Sequence, residues 1–97
     1  MIIRVFRARV VPGKEKEFEE KLRSVSIPLT KSQAGVSSVY AGGSLSSQKG
    51  EYVFISTWEN LDDLKKFVGE NWDKPYLPST VAPLVAEAWV SHYQNIA

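Results

Sequence analysis

The chain contains no cysteine and a single histidine, His92. The first absence excludes a disulfide scaffold, a thiolate zinc site, iron–sulfur ligation and cysteine catalysis. The second excludes a multi-histidine metal centre within one chain, so no metal site is expected. An excess of one charge sign is missing too: 12 Lys and Arg face 11 Asp and Glu. Nucleic-acid-binding domains usually show a basic excess, so no nucleic-acid partner is expected. No apolar run approaches the ~18 residues of a membrane span. Arg4 and Arg7 interrupt the apolar start, which leaves no signal-peptide core. A soluble, cytoplasmic protein without membrane contact is the expectation.

What is present is ordinary globular composition, 43% hydrophobic and 24% charged. The chain of 97 residues suits one domain spanning 1–97, because domains usually run to ~100–200 residues. A domain of this size buries roughly 65% of its unfolded surface and can hold a core without staples.

Ile2 to Val11 is rich in β-branched residues and stops at Pro12-Gly13, a strand followed by a turn. From Lys14 to about Ser26, Phe18, Leu22 and Val25 form one apolar stripe among charged residues, which predicts a helix ended by Pro28. Gly35 to Ala41 reads as a second strand. Gly42 to Gly50 reads as a polar loop with a mobile tip, and Glu51 to Trp58 as the clearest strand. Asn60 is placed to cap a helix that carries Asp62 and Asp63 in its first turn. Leu64, Phe67 and Val68 are its stripe, and Gly69 marks its end or a kink. Residues 71–78, with Trp72, Pro75, Tyr76 and Pro78, cannot be one continuous helix. A last strand runs from about Ala86 to Tyr93.

The order βαββαβ predicts an α+β ferredoxin-like sandwich with a four-stranded antiparallel sheet. Right-handed crossovers put both helices on one face. The strands are partly apolar on both parities, and bare apolar faces of that size are rare in monomers. A second copy packed sheet to sheet, a two-fold homodimer, is therefore expected.

Val11-Pro12-Gly13-Lys14 at the first strand exit, an acidic helix, Gly35 opening the second strand, and Ser56-Thr57-Trp58-Glu59-Asn60 running into a helix with Leu61 and Leu64 occur together elsewhere. Over nearly its whole length the chain resembles the antibiotic biosynthesis monooxygenase domain family of dimeric α/β barrels. The resemblance implies a homodimer of facing sheets and a cavity in each protomer between helices and sheet. Some members oxidise polycyclic aromatic substrates with O₂ and no cofactor; others open haem, others handle quinols, and many have no established activity. The haem-degrading branch carries an Asn in the first strand, and a Trp and a His around the second helix. Here those positions fall on Phe6, Phe67 and Tyr76-Leu77. The proximal ligand is thus missing, and no cofactor is expected.

Each candidate residue has a structural alternative. His92 is the one side chain whose ordinary pKa lies near neutrality. It is a candidate catalytic base for a phenolic proton, or a strand histidine bonded to its neighbours. Ser91 points to the opposite face, which excludes a Ser–His pair on this strand. Trp72 and Tyr76 sit where a pocket lid would lie, as stacking surfaces for an aromatic ligand or as core plugs. Trp58, beside a helix cap, reads as packing. Arg4, Arg7 and Arg9 lie on a central strand and need partners such as Glu59 or Glu87. Alternatively Arg4, on the face of Phe6, recognises a substrate carboxylate or enolate. Asp62 and Asp63 are explained by the helix start, and Lys14 to Arg23 by solvation. Gly42-Gly43 lacks the lysine and the helix of a phosphate loop.

The resulting expectation is a cofactor-independent monooxygenase for a small polyphenol- or quinol-like aromatic. His92 is the catalytic candidate, and Arg4, Phe6, Phe67, Trp72 and Tyr76 are the substrate-binding candidates. The alternatives are a non-catalytic ligand-binding or stress-associated dimer and a purely structural dimerisation module.

Overall fold

The computed structural model describes residues 1–45 and 50–97. The strands β1 (Ile2–Val10), β2 (Val36–Gly43), β3 (Glu51–Trp58) and β4 (Val85–Gln94) form one sheet in the order β2-β3-β1-β4. All three pairings are antiparallel. The helices are α1 (Glu15–Lys21), α2 (Ile27–Lys31) and α3 (Leu61–Val68). This is the expected ferredoxin-like α+β sandwich.

Strand alternation decides which residues meet the helices. On β1, Arg4, Ala8 and Val10 are buried, and on β3 so are Tyr52, Ser56 and Trp58. Ala8, Val10 and Tyr52 pack with Phe18 and Leu22 of the helical layer and with Val81 and Leu84, which precede β4. The opposite parity carries Ile3, Val5, Ile55, Tyr40, Trp89 and Tyr93, and no helix of the described residues covers it. Tyr40, Trp89 and Tyr93 are 65%, 40% and 56% exposed. Arg9 and Glu87 pair across β1 and β4 at one end of this face.

Pro28 does not end the first helical run. Leu22–Ser26 form a π turn, and the run continues through α2 to Lys31. Within the π turn the Ile27 N–H reaches back to the Leu22 carbonyl. That widening opens the ladder where Pro28 has no N–H to give and where its ring would otherwise meet a carbonyl. β2 also runs further than expected, through Gly42 and Gly43, which pair with Val53 and Tyr52. A Cβ on Gly43 would lie 3.1 Å from Tyr52 Cε2, so the small residue admits the ring. The expected mobile loop tip, residues 46–49, lies outside the described residues.

The Asn60 cap is present: its side chain accepts from the Asp63 N–H at 2.9 Å. Residues 69–81 form neither strand nor helix. They return the chain to a short 3₁₀ turn, Ala82–Leu84, and then to β4.

Gly35 joins the first helical run to the sheet at φ +86°, while its carbonyl accepts from Glu59 N–H at 2.8 Å. A Cβ there would run into the Asp63 side chain beside the α3 cap. Gly35→Ala is expected to destabilise the protein by about 2 kcal/mol, seen as a Tm lowered by roughly 10 °C in calorimetry.

Candidate functional site

A cavity of about 60 Å³ lies between the helical layer and the covered face of the sheet. Phe6, Phe54, Ser56 and Trp58 form its floor from β1 and β3. Leu22, Ser26, Leu29 and Thr30 close one side, and Phe67, Tyr76, Leu77 and Pro78 the other. Three rings run in series: Trp58 stacks on Phe67 at 5.7 Å, and Phe67 meets Tyr76 at 5.6 Å. Tyr76 and Leu29 are 41% and 38% exposed at the mouth. A space of this size holds a few waters or the edge of one ring.

Among the described residues Arg4 is the one charged residue in the lining, and it is only 6% exposed. Among the described residues it has no ion pair with a carboxylate. Its Nη1 donates to the Trp72 carbonyl at 2.6 Å and meets His92 Nε2 at 2.8 Å. Its Nη2 donates to the Lys74 carbonyl at 3.3 Å. Burial lowers its pKa to about 10, still well above neutrality, so the cation persists.

The contact with Arg4 fixes the state of His92. A guanidinium has donors and no acceptor, so Nε2 carries the lone pair and the ring proton sits on Nδ1. Burial, then the Arg4 charge, holds the imidazole pKa below its ordinary value, with Asp73 partly opposing. The Trp72 ring stands edge-on to His92 at 4.8 Å. Across the sheet, Arg4 pairs directly with Ser56 on β3 and with His92 on β4, one polar row through three strands.

Four of the sequence candidates, Arg4, Phe6, Phe67 and Tyr76, therefore line one cavity. His92 and Trp72 do not line it; they sit behind Arg4 and touch it. The sequence left His92 as a catalytic base or as a strand histidine bonded to its neighbours, and here its Nε2 lone pair accepts from Arg4. Ser56, Trp58 and Thr30 were missed as lining residues. The parity of β3 could have revealed Ser56 as the neighbour of Arg4. Thr30 was hidden by reading Pro28 as a helix end. Arg9 has its expected partner in Glu87. Among the described residues no group of three or more His, Cys, Asp or Glu is placed to hold a metal ion. The cavity lining offers no imidazole or thiolate to ligate haem iron.

The fold and cavity define a small α+β domain that holds an apolar, ring-lined pocket against one face of its sheet. No helix of the described residues is long and apolar enough to cross a membrane. The family model for antibiotic biosynthesis monooxygenase matches residues 1–71, and the chain belongs to that family. Solved structures agree on the fold. A candidate antibiotic biosynthesis monooxygenase from Nitrosomonas europaea is 19% identical, with 100% of both chains covered and a TM-score of 0.77. A second candidate, from Bordetella bronchiseptica, is 22% identical over 99% of this chain and 97% of its own, at 0.76. A mutant of SnoaB, a cofactor-independent oxygenase from Streptomyces nogalater, is 15% identical over 99% and 93%, at 0.77. No curated protein matches the chain by sequence.

His92 sets a pH dependence. Its folded pKa lies below the ordinary 6.5, so on acidification the unfolded chain takes the proton first. The His92 contribution to stability is then full above about pH 6.5 and is lost as pH drops below it. The urea midpoint is expected to decline through that window. His92→Gln, which keeps an acceptor for Arg4 but does not titrate, is expected to flatten the decline.

Proposed function

We propose that the protein is a cytoplasmic, cofactor-independent monooxygenase acting on a small aromatic, quinol-like substrate. The observation that carries this reading is Arg4, a buried cation without a carboxylate partner on the wall of an apolar, ring-lined cavity. Such a charge favours the ionised form of a phenol or enol placed beside it. Phe67 and Tyr76 offer ring surface for stacking, and Phe6 the floor. His92 and Trp72 act through Arg4, as positioning residues.

Ionisation makes the substrate electron-rich enough to reduce O₂ itself. At a ring C–H beside the ionised hydroxyl, one oxygen atom enters the ring as a new hydroxyl. The other leaves as water with two hydrogens of the quinol, which ends as a hydroxyquinone. All four electrons come from the substrate and O₂ receives them, so no further reductant is needed. The family membership and the fold shared with SnoaB support the reading. A ligand-binding dimer without turnover is the second reading. It is favoured by His92, whose lone pair is already engaged.

Oxygen uptake with a panel of hydroquinones and anthrones separates the two. Wild type is expected to exceed buffer with at least one compound. Arg4→Gln should lower kcat/KM by about 100-fold, and His92→Ala and Trp72→Ala should lower it less. Rates equal to buffer across the panel would leave the binding reading.

We also propose that a second copy covers the bare sheet face. The exposed Tyr40, Trp89 and Tyr93 support this, since a soluble domain seldom leaves such a face in water. Sedimentation velocity at micromolar concentration is expected to give a dimer. Val5→Glu, at the centre of that face, is expected to give a monomer; a wild-type monomer would remove the proposal.

A further inference from the structure

The polar row beneath the cavity has donors to spare. Three N–H groups of Arg4 are engaged, two on Nη1 and one on Nη2. The Nε–H and the second Nη2–H have no acceptor among the described residues. On the neighbouring strand, Ser56 lies directly opposite Arg4, is only 2% exposed, and lines the same cavity. Its Oγ accepts from Trp58 Nε1 at 2.9 Å, which leaves the hydroxyl proton without a partner among the described residues. Side chains directly opposite on antiparallel strands have Cβ atoms about 5 Å apart. The cavity floor thus holds a cation and a hydroxyl that offer donors and no competing carboxylate, under an apolar roof.

We infer that Arg4 and Ser56 form a binding site for a carboxylate, and that the ligand of this cavity is a small, single-ring aromatic acid. The inference rests on the reading of this cavity as the substrate site and deepens it. A carboxylate has two coplanar oxygens, and the unused guanidinium donors present the fork that matches them. Ser56 supplies a third donor to the same head. A neutral amide of equal shape brings its own N–H groups against these donors, which leaves buried donors unpaired. Size sets the rest of the ligand. About 60 Å³ accommodates the head and the edge of one ring, with the remainder leaving between Leu29 and Tyr76.

Calorimetric titration of the full chain with benzoate, benzamide and 2-naphthoate tests this. Benzoate is expected to bind at least about tenfold more tightly than benzamide, and more tightly than 2-naphthoate. In ¹H–¹⁵N spectra the Arg4 Nε–H resonance is expected to move downfield with benzoate and to stay in place with benzamide. Ser56→Ala and Arg4→Gln should weaken benzoate and leave benzamide unchanged. Equal affinity for benzoate and benzamide, or an Arg4 Nε–H resonance unmoved at saturation, overturns the inference. So does an absence of benzoate binding at millimolar concentration. If a variant does not fold, the wild-type comparison alone decides. Oxygen uptake distinguishes the two proposals. Turnover of neutral quinols without carboxylate preference overturns the carboxylate site and keeps the oxygenase. Benzoate binding with no turnover of any quinol, hydroxybenzoate or anthrone does the reverse.

Discussion

A guanidinium turned away from water is tolerated only where acceptors replace its hydration. Arg4 sits on a central strand, faces the helical layer and makes no ion pair with a carboxylate among the described residues. Its charge is met instead by two backbone carbonyls and one imidazole nitrogen. Much else follows from that choice. The carbonyls come from Trp72 and Lys74, in a stretch with no helix or strand to occupy them. Binding them draws residues 72–74 onto the sheet and carries Tyr76, Leu77 and Pro78 into the cavity wall. The same contact selects the His92 tautomer. One buried cation thus orders an irregular segment, closes a pocket and sets the state of the histidine.

The two faces of the sheet divide the protein's work. On the covered face, Ala8, Val10, Phe18 and Leu22 make a tight core at one end. At the other end, larger rings stand apart around the cavity, with Ser56 and Arg4 beneath them. The far face keeps its aromatic residues toward the outside. Because side chains alternate along β1 and the regular part of β4, the two tasks are written on neighbouring residues. Arg4 belongs to the pocket and Val5 to the bare face; His92 stands behind the pocket and Tyr93 on the bare face.

The chain order of strands and helices and the Asn60 cap were legible because each rests on a local rule: period-2 alternation, glycine and proline punctuation, a polar cap before an apolar stripe. Arg4 was legible as a buried charge in need of a partner. The identity of its partners was not, since any residue type supplies a carbonyl and the sequence marks none of them. The continuation of the helix through Pro28 was hidden for a related reason. The π turn that accommodates the proline is a ladder change with no residue signature of its own. His92 could be placed on the correct face by parity. That its lone pair is occupied depends on Arg4, far away in sequence.

That separation bears on the order in which the molecule assembles. β1, the first strand, is central and pairs with the last, so Ile2 lies opposite Gln94. The polar row of Ser56, Arg4 and His92 draws one residue from each of three strands distant in the chain. Closing such long loops costs entropy before any contact offsets it, and chains of this topology fold slowly. During synthesis Arg4 emerges early and must keep its water until residues 72–74 and 92 arrive. The pocket therefore belongs to no fragment of the chain: it comes into being with the closing of the sheet and is lost when the last strand departs.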